Sequence, residues 1–402
     1  MKILVISQYF YPENFIINEL TQSLAKKGLE ITVLTGFPNY PSGKIYNGYK
    51  RKIYKKEKLN ERIEILRMPI FLRGKGTFIN LVLNYLSFIF SSCVISPFLL
   101  KKKYDLIFVY APSPIFQTYI GAFLKIIFKV KLITWVQDLW PESLIVTGYV
   151  KNKLLLKFIS FFVKYTYKYS DLILVSSKGF ETKIKNIYEN SVVKYFPNPG
   201  IIKHNNENIK IKNKTFLLND GFNIVFAGNL GKAQSLETIL KAAERLKPIK
   251  EINIYLVGSG SKYNSISDEI KTKNLNNVIL TGKIESQNMP IIYQQSSVLL
   301  LTLNKSEILG LTVPAKLQTY LAAAKPIICS ADGEVAKIII ESQSGIACEA
   351  ENFDKLYDAI LTLYKSDKKI LDKMGLDAKK YYNKNFDLEI LTNNLIQVFN
   401  EI

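Results

Sequence analysis

Histidine is almost missing from this chain of 402 residues, because His204 is the only one. It lies in the polar stretch "KHNNENIK", which is typical of a solvated loop. A Ser-His-Asp triad, a histidine-rich metal site and a histidine general base are therefore disfavoured. Any acid or base in a reaction must be a carboxylate, a lysine, a tyrosine or the substrate itself.

Cysteine and glycine motifs are also sparse. The cysteines form no Cys-x-x-Cys pair and are scattered along the chain: Cys93, Cys329 and Cys348. This usage is typical of a cytosolic, reduced protein without structural zinc. The loop from Ser7 to Pro12 contains no glycine, and Gly258 and Gly260 lack the third glycine of Gly-x-Gly-x-x-Gly. A dinucleotide dehydrogenase is therefore disfavoured.

The chain is strongly basic, with 54 lysines and arginines against 34 acidic residues and a formal net charge of +20. Only five of the basic residues are arginine, which suggests a coding bias toward lysine wherever a solvated cation is tolerated. Most of the excess positive charge is interpreted as solvated surface charge. The remainder is interpreted as a source of electrostatic attraction for anionic partners. Two clusters keep the functional interpretation: Lys50, Arg51, Lys52, Lys55, Lys56 and Lys58, and the run Lys101, Lys102 and Lys103.

Hydrophobic periodicity predicts two α/β halves. The opening "MKILVISQYF" has the pattern of a buried strand and not of a signal peptide, and a helix and a second strand complete a βαβ unit. Further apolar runs continue the pattern of a parallel sheet covered on both faces, and the pattern restarts at "FNIVFAGNLG". The expected domains are an N-terminal domain over 1–200, a linker over 201–221, a C-terminal domain over 222–382, and a final helix over 383–402 that crosses back to the first domain.

The longest uncharged stretch, residues 78–100, is long enough to cross a bilayer and is followed at once by lysines. Crossing is disfavoured, because the strand predicted at 105–111 should share a sheet with strands before residue 40. Two alternatives stay open: a fully buried helix, and a helix that packs on the sheet and dips into a membrane interface. The segment 154–169, which interleaves aromatic residues and lysines, favours the interface.

A glycine turn and a lysine in the second half are candidates for binding phosphate. In "GNLGKAQ" the backbone N–H groups of Gly228, Asn229 and Gly231 follow a strand, precede a helix and can approach an oxyanion. Lys232 adds a positive charge to this turn. In "VPAKLQTY" Lys316 occupies a second junction between a loop and a helix. A glycine after a strand is usually only a turn, but the two junctions together indicate a diphosphate held between two loops.

The order of the motifs resembles glycosyltransferase family 4, which has the GT-B fold, over nearly the whole chain. The matching stretches are "MKILVISQYFYPE", "WVQDLWPES", "FPNPG", "FAGNLGKAQSLETIL", "LVGSG", "VILTGKI" and "VPAKLQTYLAAAKPII". The chain is most similar to the bacterial enzymes that build surface polysaccharides, including N-acetylfucosaminyltransferases. The resemblance implies an α/β protein of two doubly wound, Rossmann-like domains that face a cleft, the first binding the acceptor and the second the nucleotide sugar.

In the second domain the resemblance implies that Lys316 and Lys232 neutralise the diphosphate as it leaves. The family's two usual glutamates are replaced here by Leu311 and Thr319, so other groups must recognise the ribose and the sugar, such as Gln318, Thr319 or backbone N–H groups of 310–312. The positions expected at the donor are Gly228, Asn229, Gly231, Gln234, Ile284, Gly310, Leu311, Thr312, Gln318, Thr319 and Glu334. Glu334 has an alternative interpretation as an acid in the first turn of a helix.

In the first domain the resemblance places Asp138, which follows a strand in "VQDLWPES", toward the acceptor or the reacting sugar. A helix cap or a turn is the alternative interpretation of this carboxylate. Gln137 stands where related sequences often carry a histidine. Glu13, in the first strand-to-helix loop, is a second acceptor-side candidate, and Tyr40 is expected to line the same cleft.

The implied activity is transfer of an N-acetylated amino or amino-deoxy sugar from a UDP-sugar to a lipid-diphosphate-linked sugar acceptor, in O-antigen or capsule synthesis, with retention of configuration. No cofactor or metal is expected, since lysines can carry the leaving-group charge and the chain contains no Asp-x-Asp. The expected location is the cytoplasm, peripherally on the inner face of the cell membrane, without a nucleic-acid partner. Two alternatives stay open: a UDP-sugar 2-epimerase of the same architecture, and a non-enzymatic basic membrane-binding protein.

Overall fold

The computed structural model describes residues 1–50, 52–100, 103–146, 152–201 and 218–402. They form two compact units, Met1–Pro197 with Leu388–Ile402, and Asn198–Asp387. Most of the predicted linker lies outside the described residues. So do four residues named above: Arg51, Lys101, Lys102 and His204.

The first unit is built on one sheet. Its strands are β1 (Lys2–Ile6), β2 (Glu30–Gly36), β3 (Lys55–Lys58), β4 (Ile63–Met68), β5 (Leu106–Ala111), β6 (Lys131–Val136), β7 (Leu172–Val175) and β8 (Val193–Tyr195). The strand order is β3-β4-β2-β1-β5-β6-β7-β8, and all pairs are parallel except β3 with β4. The central strands of the sheet are continuous apolar runs in the sequence, because helices cover both faces of the sheet.

Helices flank this sheet and supply its core. They are α1 (Ile16–Lys26), α2 (Phe78–Leu99), α3 (Thr118–Phe128), α4 (Glu142–Val146), α5 (Lys153–Tyr169) and α6 (Phe180–Ile187). Ile3 and Val5 of β1 are fully buried in a cluster with Trp135 of β6, whose indole Nε1 donates a hydrogen bond to the Phe196 carbonyl at 2.9 Å. The apolar side chains of β1 therefore lie in the hydrophobic core of the first unit.

The lysines of 55–58 form β3, an edge strand. Lys55 pairs with Glu57 at 2.6 Å, and the ammonium of Lys56 donates to the Leu99 carbonyl at 3.2 Å. Charged side chains on an edge strand discourage pairing with another chain. Part of this basic cluster therefore has a structural role in the first unit.

Helix α2 has its polar and apolar faces reversed relative to a core helix. Its buried side chains include Asn84, Ser91, Ser92 and Ser96, whereas large apolar side chains point outward. The exposed ones are Phe78, Ile79, Leu83, Leu86, Phe90, Val94 and Phe98. The helix is long and apolar enough to cross a membrane by length and composition. However, β4 and β5, which flank it in sequence, lie in the same sheet, and one sheet cannot occupy both sides of a bilayer.

The second unit also has a single sheet of parallel strands. They are β9 (Phe222–Ala227), β10 (Ile252–Val257), β11 (Val278–Gly282), β12 (Val298–Thr302), β13 (Ile327–Ser330) and β14 (Gly345–Cys348). The helices are α7 (Leu236–Leu246), α8 (Tyr263–Thr272), α9 (Met289–Gln295), α10 (Glu307–Gly310), α11 (Lys316–Ala322), α12 (Glu334–Glu341), α13 (Phe353–Tyr364) and α14 (Lys368–Asn385). The last helix, α15 (Leu388–Glu401), belongs to the first unit, where it packs against α1.

The strand order of the second sheet is β11-β10-β9-β12-β13-β14. This is the doubly wound order of dinucleotide-binding domains, in which successive strands are added on one side of β9 as far as β11 and on its other side from β12 onward, so the strand order reverses between β9 and β12. Open sheets of this kind bind ligands outside the carboxyl ends of the strands at that reversal. The loops after β9 and β12 are therefore the first place to look for a site.

Candidate active site

The loop after β9 presents bare backbone at the reversal point of the second sheet. Gly228 has φ of +151°, a conformation that favours glycine. The neighbouring loop after β10 packs directly against it, because a Cβ atom added at Gly258 would lie 1.8 Å from the Gly228 carbonyl oxygen. Gly258 is thus required for the two backbones to approach each other at this edge, and Gly228 is required for its own backbone conformation.

Helix α11 is fastened to the end of β9 by one tyrosine. The Tyr320 hydroxyl accepts a hydrogen bond from the Ala227 N–H at 2.8 Å and donates one to the Ala227 carbonyl at 3.2 Å. Lys316 lies four residues earlier, on the same face of the helix. Its Nζ atom is therefore carried over the loop, 3.1 Å from the point where a Cβ of Gly228 would be and 3.9 Å from the centre of the Phe226 ring.

The ammonium of Lys316 lacks a neutralising anion. It donates a hydrogen bond to the Gln234 side-chain oxygen at 2.5 Å, and no carboxylate lies within 4.0 Å of it among the described residues. Burial lowers the pKa of Lys316 to about 7, because the charged form loses solvation there. A bound anion would restore the charge, so this geometry is that of an anion-binding lysine.

The turn that holds Gln234 is braced by Asn304, which follows β12. The Asn304 side-chain N–H donates to the Lys232 carbonyl at 2.9 Å, and its side-chain oxygen accepts from the Ser235 N–H at 2.8 Å. Lys232 itself is exposed beside this turn. Asn304 belongs to no sequence motif, and its place after a strand at the reversal point is the only signal in the sequence that points to it.

The segment 310–312 does not offer the free N–H groups predicted for it. The N–H groups of Gly310, Leu311 and Thr312 donate to the carbonyls of Ser306, Glu307 and Leu309, at 2.9 to 3.2 Å. The Thr312 hydroxyl donates to the Ile308 carbonyl at 2.9 Å. The short helix α10 uses up these donors, so ribose recognition by this backbone is not supported.

Gln318 also differs from its predicted role. Its side chain is fully buried, and its amide nitrogen donates to the carbonyls of Pro314 and Ala315, each at 3.0 Å. The side chain holds the loop that precedes α11 and is not exposed to a ligand. Thr319, the next residue, is partly exposed, with its hydroxyl 3.4 Å from the Ala315 carbonyl.

Glu334 begins α12, and its carboxylate accepts a hydrogen bond from Lys337 in the same turn at 2.8 Å. This favours the alternative interpretation of Glu334 as a first-turn acid. Gly333 before it has φ of +77°, and a Cβ there would lie 2.0 Å from the Gly310 carbonyl oxygen, so the two loops touch. Ile284 is partly buried against the core of the second unit.

In the first unit Asp138 follows β6 as predicted and is partly buried. Burial raises the pKa of its carboxyl above the ordinary value. No described residue donates a hydrogen bond to it, and the side-chain nitrogen of the adjacent Gln137 is buried without a partner. A buried amide nitrogen without a partner is costly unless a ligand supplies the missing hydrogen bond, and the Asp138 carboxylate next to it is free to bind the same ligand.

Glu13 has a structural role that its sequence position did not reveal. Its buried carboxylate accepts N–H groups from Asn39 and Tyr40, each at 2.7 Å, and from Phe10 at 3.3 Å. Burial raises the pKa of Glu13 to about 7 in spite of these hydrogen bonds. Glu13 therefore positions the Tyr40 loop and does not face a ligand.

Tyr40 is 37% exposed and belongs to an aromatic cluster. Its ring lies against Phe15, 5.2 Å between centres, and the Arg73 guanidinium lies 5.1 Å from the Tyr40 ring centre. Arg73 also donates a hydrogen bond to the Tyr9 hydroxyl. Sequence reasoning missed Arg73, because a single arginine between glycines and apolar residues carries no motif.

The described residues contain no group of three or more histidine, cysteine, aspartate or glutamate side chains that could hold a metal ion. The arrangement in the second unit is instead a lysine and bare glycine backbone at a sheet reversal, which suits a phosphate group.

The chain is similar to known glycosyltransferases over its whole length. Residues 207–381 match the family model described as glycosyl transferases group 1. An uncharacterized glycosyltransferase of Methanocaldococcus jannaschii is 24% identical, covering 100% of this chain and 99% of the relative. The O-antigen chain mannosyltransferase C of Escherichia coli is 21% identical, covering 99% and 98%.

Two solved structures show the same fold. The sucrose-phosphate synthase of Thermosynechococcus elongatus has a TM-score of 0.71 at 15% identity, covering 100% of this chain and 98% of that one. HepE of Anabaena, solved in complex with UDP and glucose, has a TM-score of 0.67 at 14% identity, covering 100% of both chains. The predicted GT-B fold class, α/β with two Rossmann-like domains, is confirmed, and the chain is a glycosyltransferase.

Proposed function

We propose that the protein transfers a sugar from a UDP-sugar to a lipid-diphosphate-linked acceptor during bacterial surface-polysaccharide synthesis, O-antigen or capsule. One observation carries the donor assignment: Lys316, a partly buried cation without a carboxylate partner among the described residues, lies over Gly228 at the reversal of the second sheet. The uridine diphosphate in HepE and the O-antigen role in the name of the Escherichia coli relative support the same substrates.

In this proposal Lys316 binds the oxygens of the donor's diphosphate and becomes fully protonated there. Charge develops on the diphosphate as the sugar departs, and a preorganised ammonium at a site shielded from water stabilises that charge strongly. Lys232 adds a second, more exposed charge. In this proposal lysines stabilise the departing diphosphate, and no cofactor is included.

Asp138 serves the acceptor side of the reaction. Its carboxylate is unpaired among the described residues and has a raised pKa, so it can bind an acceptor hydroxyl or stabilise the reacting sugar. Retention of configuration, with attack on the donor face from which the phosphate leaves, belongs to the proposal through the family resemblance. The same holds for an N-acetylated amino or amino-deoxy sugar as the transferred group.

The acceptor's lipid implies that the protein works at a membrane, and the first unit offers a suitable face. Helix α3 packs against α2 and α5, and all three carry exposed apolar side chains. On α3 and α5 these are Phe123, Ile126, Ile127, Leu154, Leu155, Phe158, Phe161 and Phe162. Exposed lysines are interleaved on α5: Lys153, Lys157, Lys164 and Lys168. We place this face on the inner leaflet of the cytoplasmic membrane.

The test of the donor site is binding and turnover of UDP-sugars by the purified protein. UDP should raise the thermal unfolding temperature, and the Lys316→Ala variant should lose most of that rise. Incubation with a UDP-sugar alone should leave the sugar unchanged, whereas a 2-epimerase would convert it without any acceptor. A wild-type protein that UDP does not stabilise would contradict the proposal and favour a non-enzymatic membrane-binding protein.

A further inference from the structure

The first unit contains an apolar groove that the donor and acceptor residues above do not use. It encloses about 490 Å³ and lies between α2 and the chain segments that follow β2 and β4. Phe37, Ile70 and Leu72 form one wall, and Phe90 and Val94 of α2 form the other. Its size is within the roughly 300–1,000 Å³ of small-molecule sites.

The two serine hydroxyls in the groove are already hydrogen-bonded. The Ser91 hydroxyl donates to the Pro69 carbonyl at 2.7 Å, and the Ser87 hydroxyl accepts from the Phe71 N–H at 2.8 Å. These bonds tie α2 to the opposite wall. The groove therefore offers hydrocarbon surface with its serines satisfied, which suits an aliphatic chain better than a peptide or a nucleotide.

The groove opens onto the apolar face of the unit. Phe90 is 72% exposed and Val94 is 49% exposed, so each borders both the groove and the outer surface of α2. A chain entering the groove from a bilayer would remain on apolar surface throughout. This continuity distinguishes the groove from an internal cavity.

One cation lines the groove and a second follows its wall in the chain, and neither has a carboxylate partner within 4.0 Å among the described residues. Lys52 lines the groove and is exposed, and Arg73 directly follows Leu72 of the wall. By contrast, Lys55 and Arg67 both pair with Glu57, so their charges are already compensated. The Arg73 guanidinium contacts the rings of Tyr9 and Tyr40 and donates a hydrogen bond to the Tyr9 hydroxyl, so its described partners are uncharged aromatic side chains. An apolar groove with an uncompensated lysine in its lining and an arginine directly after its wall in the chain complements an anionic lipid.

We propose that this groove binds the diphosphate-proximal isoprene units of the lipid-linked acceptor, with Arg73 and Lys52 on the diphosphate. The inference rests on the proposed function for the identity of the lipid. It adds to that function a binding site for the acceptor's isoprenoid chain and for the charges of the acceptor's diphosphate. Arg73 is a binding residue in this account and takes no part in leaving-group departure.

The test is direct binding of farnesyl diphosphate, with farnesol and inorganic diphosphate as separate probes, by calorimetry in detergent-free buffer. Wild-type protein should bind farnesyl diphosphate more tightly than either probe. Val94→Trp, which fills the groove from an exposed position, should weaken this binding at least about tenfold. The matched control Leu86→Trp, on the outer face of the same helix, should bind as wild type does.

Arg73→Met should weaken farnesyl diphosphate binding about tenfold and leave farnesol binding unchanged. A UDP-induced thermal shift like that of wild type establishes that each variant is folded. Equal binding of farnesyl diphosphate by Val94→Trp and wild type, or no binding by wild type, would overturn the inference. Binding without sugar transfer from any donor would leave the groove in place and remove the proposed function. Normal sugar transfer to a farnesyl-linked acceptor by Val94→Trp would support the proposed function and rule out the groove as the binding site of the lipid.

Discussion

At the scale of single residues, the account depends on Lys316, an ammonium whose only side-chain acceptor among the described residues is the neutral amide of Gln234. Desolvation of such a group costs free energy that a salt bridge would normally offset. In this protein a bound anionic ligand would offset the desolvation cost of Lys316. Functional sites commonly keep perturbed groups of this kind, because the same perturbation favours binding of an opposite charge.

Replacing Lys316 should therefore cost far more than replacing an ordinary surface lysine. We expect Lys316→Ala to lower turnover by about two to three powers of ten, since loss of one preorganised donor at a developing charge costs about 3 to 4 kcal/mol. Lys232→Ala should cost less, because Lys232 is exposed and water screens its charge. The control Lys250→Ala, an exposed lysine of the same unit, should turn over as wild type does. Steady-state rates at saturating donor decide this, and a wild-type rate in Lys316→Ala would remove the donor site.

The pKa of Lys316 predicts how UDP binding depends on pH. Burial lowers this pKa to about 7 in the free protein, whereas a bound diphosphate favours the ammonium and raises it. UDP binding should take up a proton above pH 7, and affinity should fall as pH rises from 7 to 9, by at most about tenfold per pH unit. Calorimetry in buffers of different ionisation enthalpy measures the uptake. Lys316→Met should remove it, and a pH-independent affinity in wild type would show that Lys316 does not bind the diphosphate.

Asp138 gives a prediction that separates the two units. Asp138→Asn should lower turnover by about 10²-fold, the lower end of the range for a group that transfers or stabilises a proton. UDP affinity should not change, because Asp138 lies in the first unit and Lys316 in the second. Glu189→Gln, an exposed carboxylate of the first unit, is the control. A large loss of UDP binding in Asp138→Asn would mean that its assignment to the acceptor is wrong.

At the scale of secondary-structure elements, strands were more predictable than side-chain roles. The buried strands read as apolar runs because helices cover both faces of each sheet, and that pattern is local in sequence. The roles of Gln318 and Glu13 depend instead on contacts to carbonyl and N–H groups of loops, and nothing in residue type distinguishes such contacts from ligand contacts. Asn304 and Arg73 were missed for the related reason that neither belongs to a motif.

Helix α2 shows the same limit. Its lack of charge predicts an apolar environment but does not say whether protein or lipid supplies it. Only the structure reveals that Asn84 and three serines face inward while Leu86, Phe90 and Phe98 face outward. Phe88, which the sequence placed beside Ile89 and Phe90 in one uncharged run, is fully buried and belongs to the core.

The reversed faces of α2 allow membrane binding to be separated from folding. Serine at Ile79, Leu86 and Phe98 together should release the protein from anionic liposomes while its unfolding temperature changes little, because these side chains are 69%, 57% and 77% exposed. Phe88→Ser should instead destabilise the fold by about 3 to 5 kcal/mol, the usual cost of truncating a buried phenylalanine. Co-sedimentation with liposomes and thermal unfolding measure the two effects. Full sedimentation of a folded triple variant would rule out α2 as the anchor.

At the scale of the whole molecule, chemistry and apolar surface are divided between the two units. The second unit carries the lysine and glycine loops suited to a soluble, charged donor. The first unit carries Asp138, the apolar groove and the outward apolar faces of α2, α3 and α5. A transferase that joins a soluble nucleotide sugar to a membrane-held lipid needs this division, whereas an epimerase acting on a soluble substrate has no use for the apolar face.

The most direct test of the central claim is a mass measurement of the product. Purified protein would be incubated with a panel of UDP-sugars and a synthetic lipid-diphosphate-linked sugar acceptor, with Lys316→Ala in parallel. The account predicts that one UDP-sugar adds a single sugar residue to the acceptor, that UDP is released in equal amount, and that the variant forms far less product. Absence of an added sugar with every UDP donor, from a protein that still binds UDP and the lipid, would contradict it.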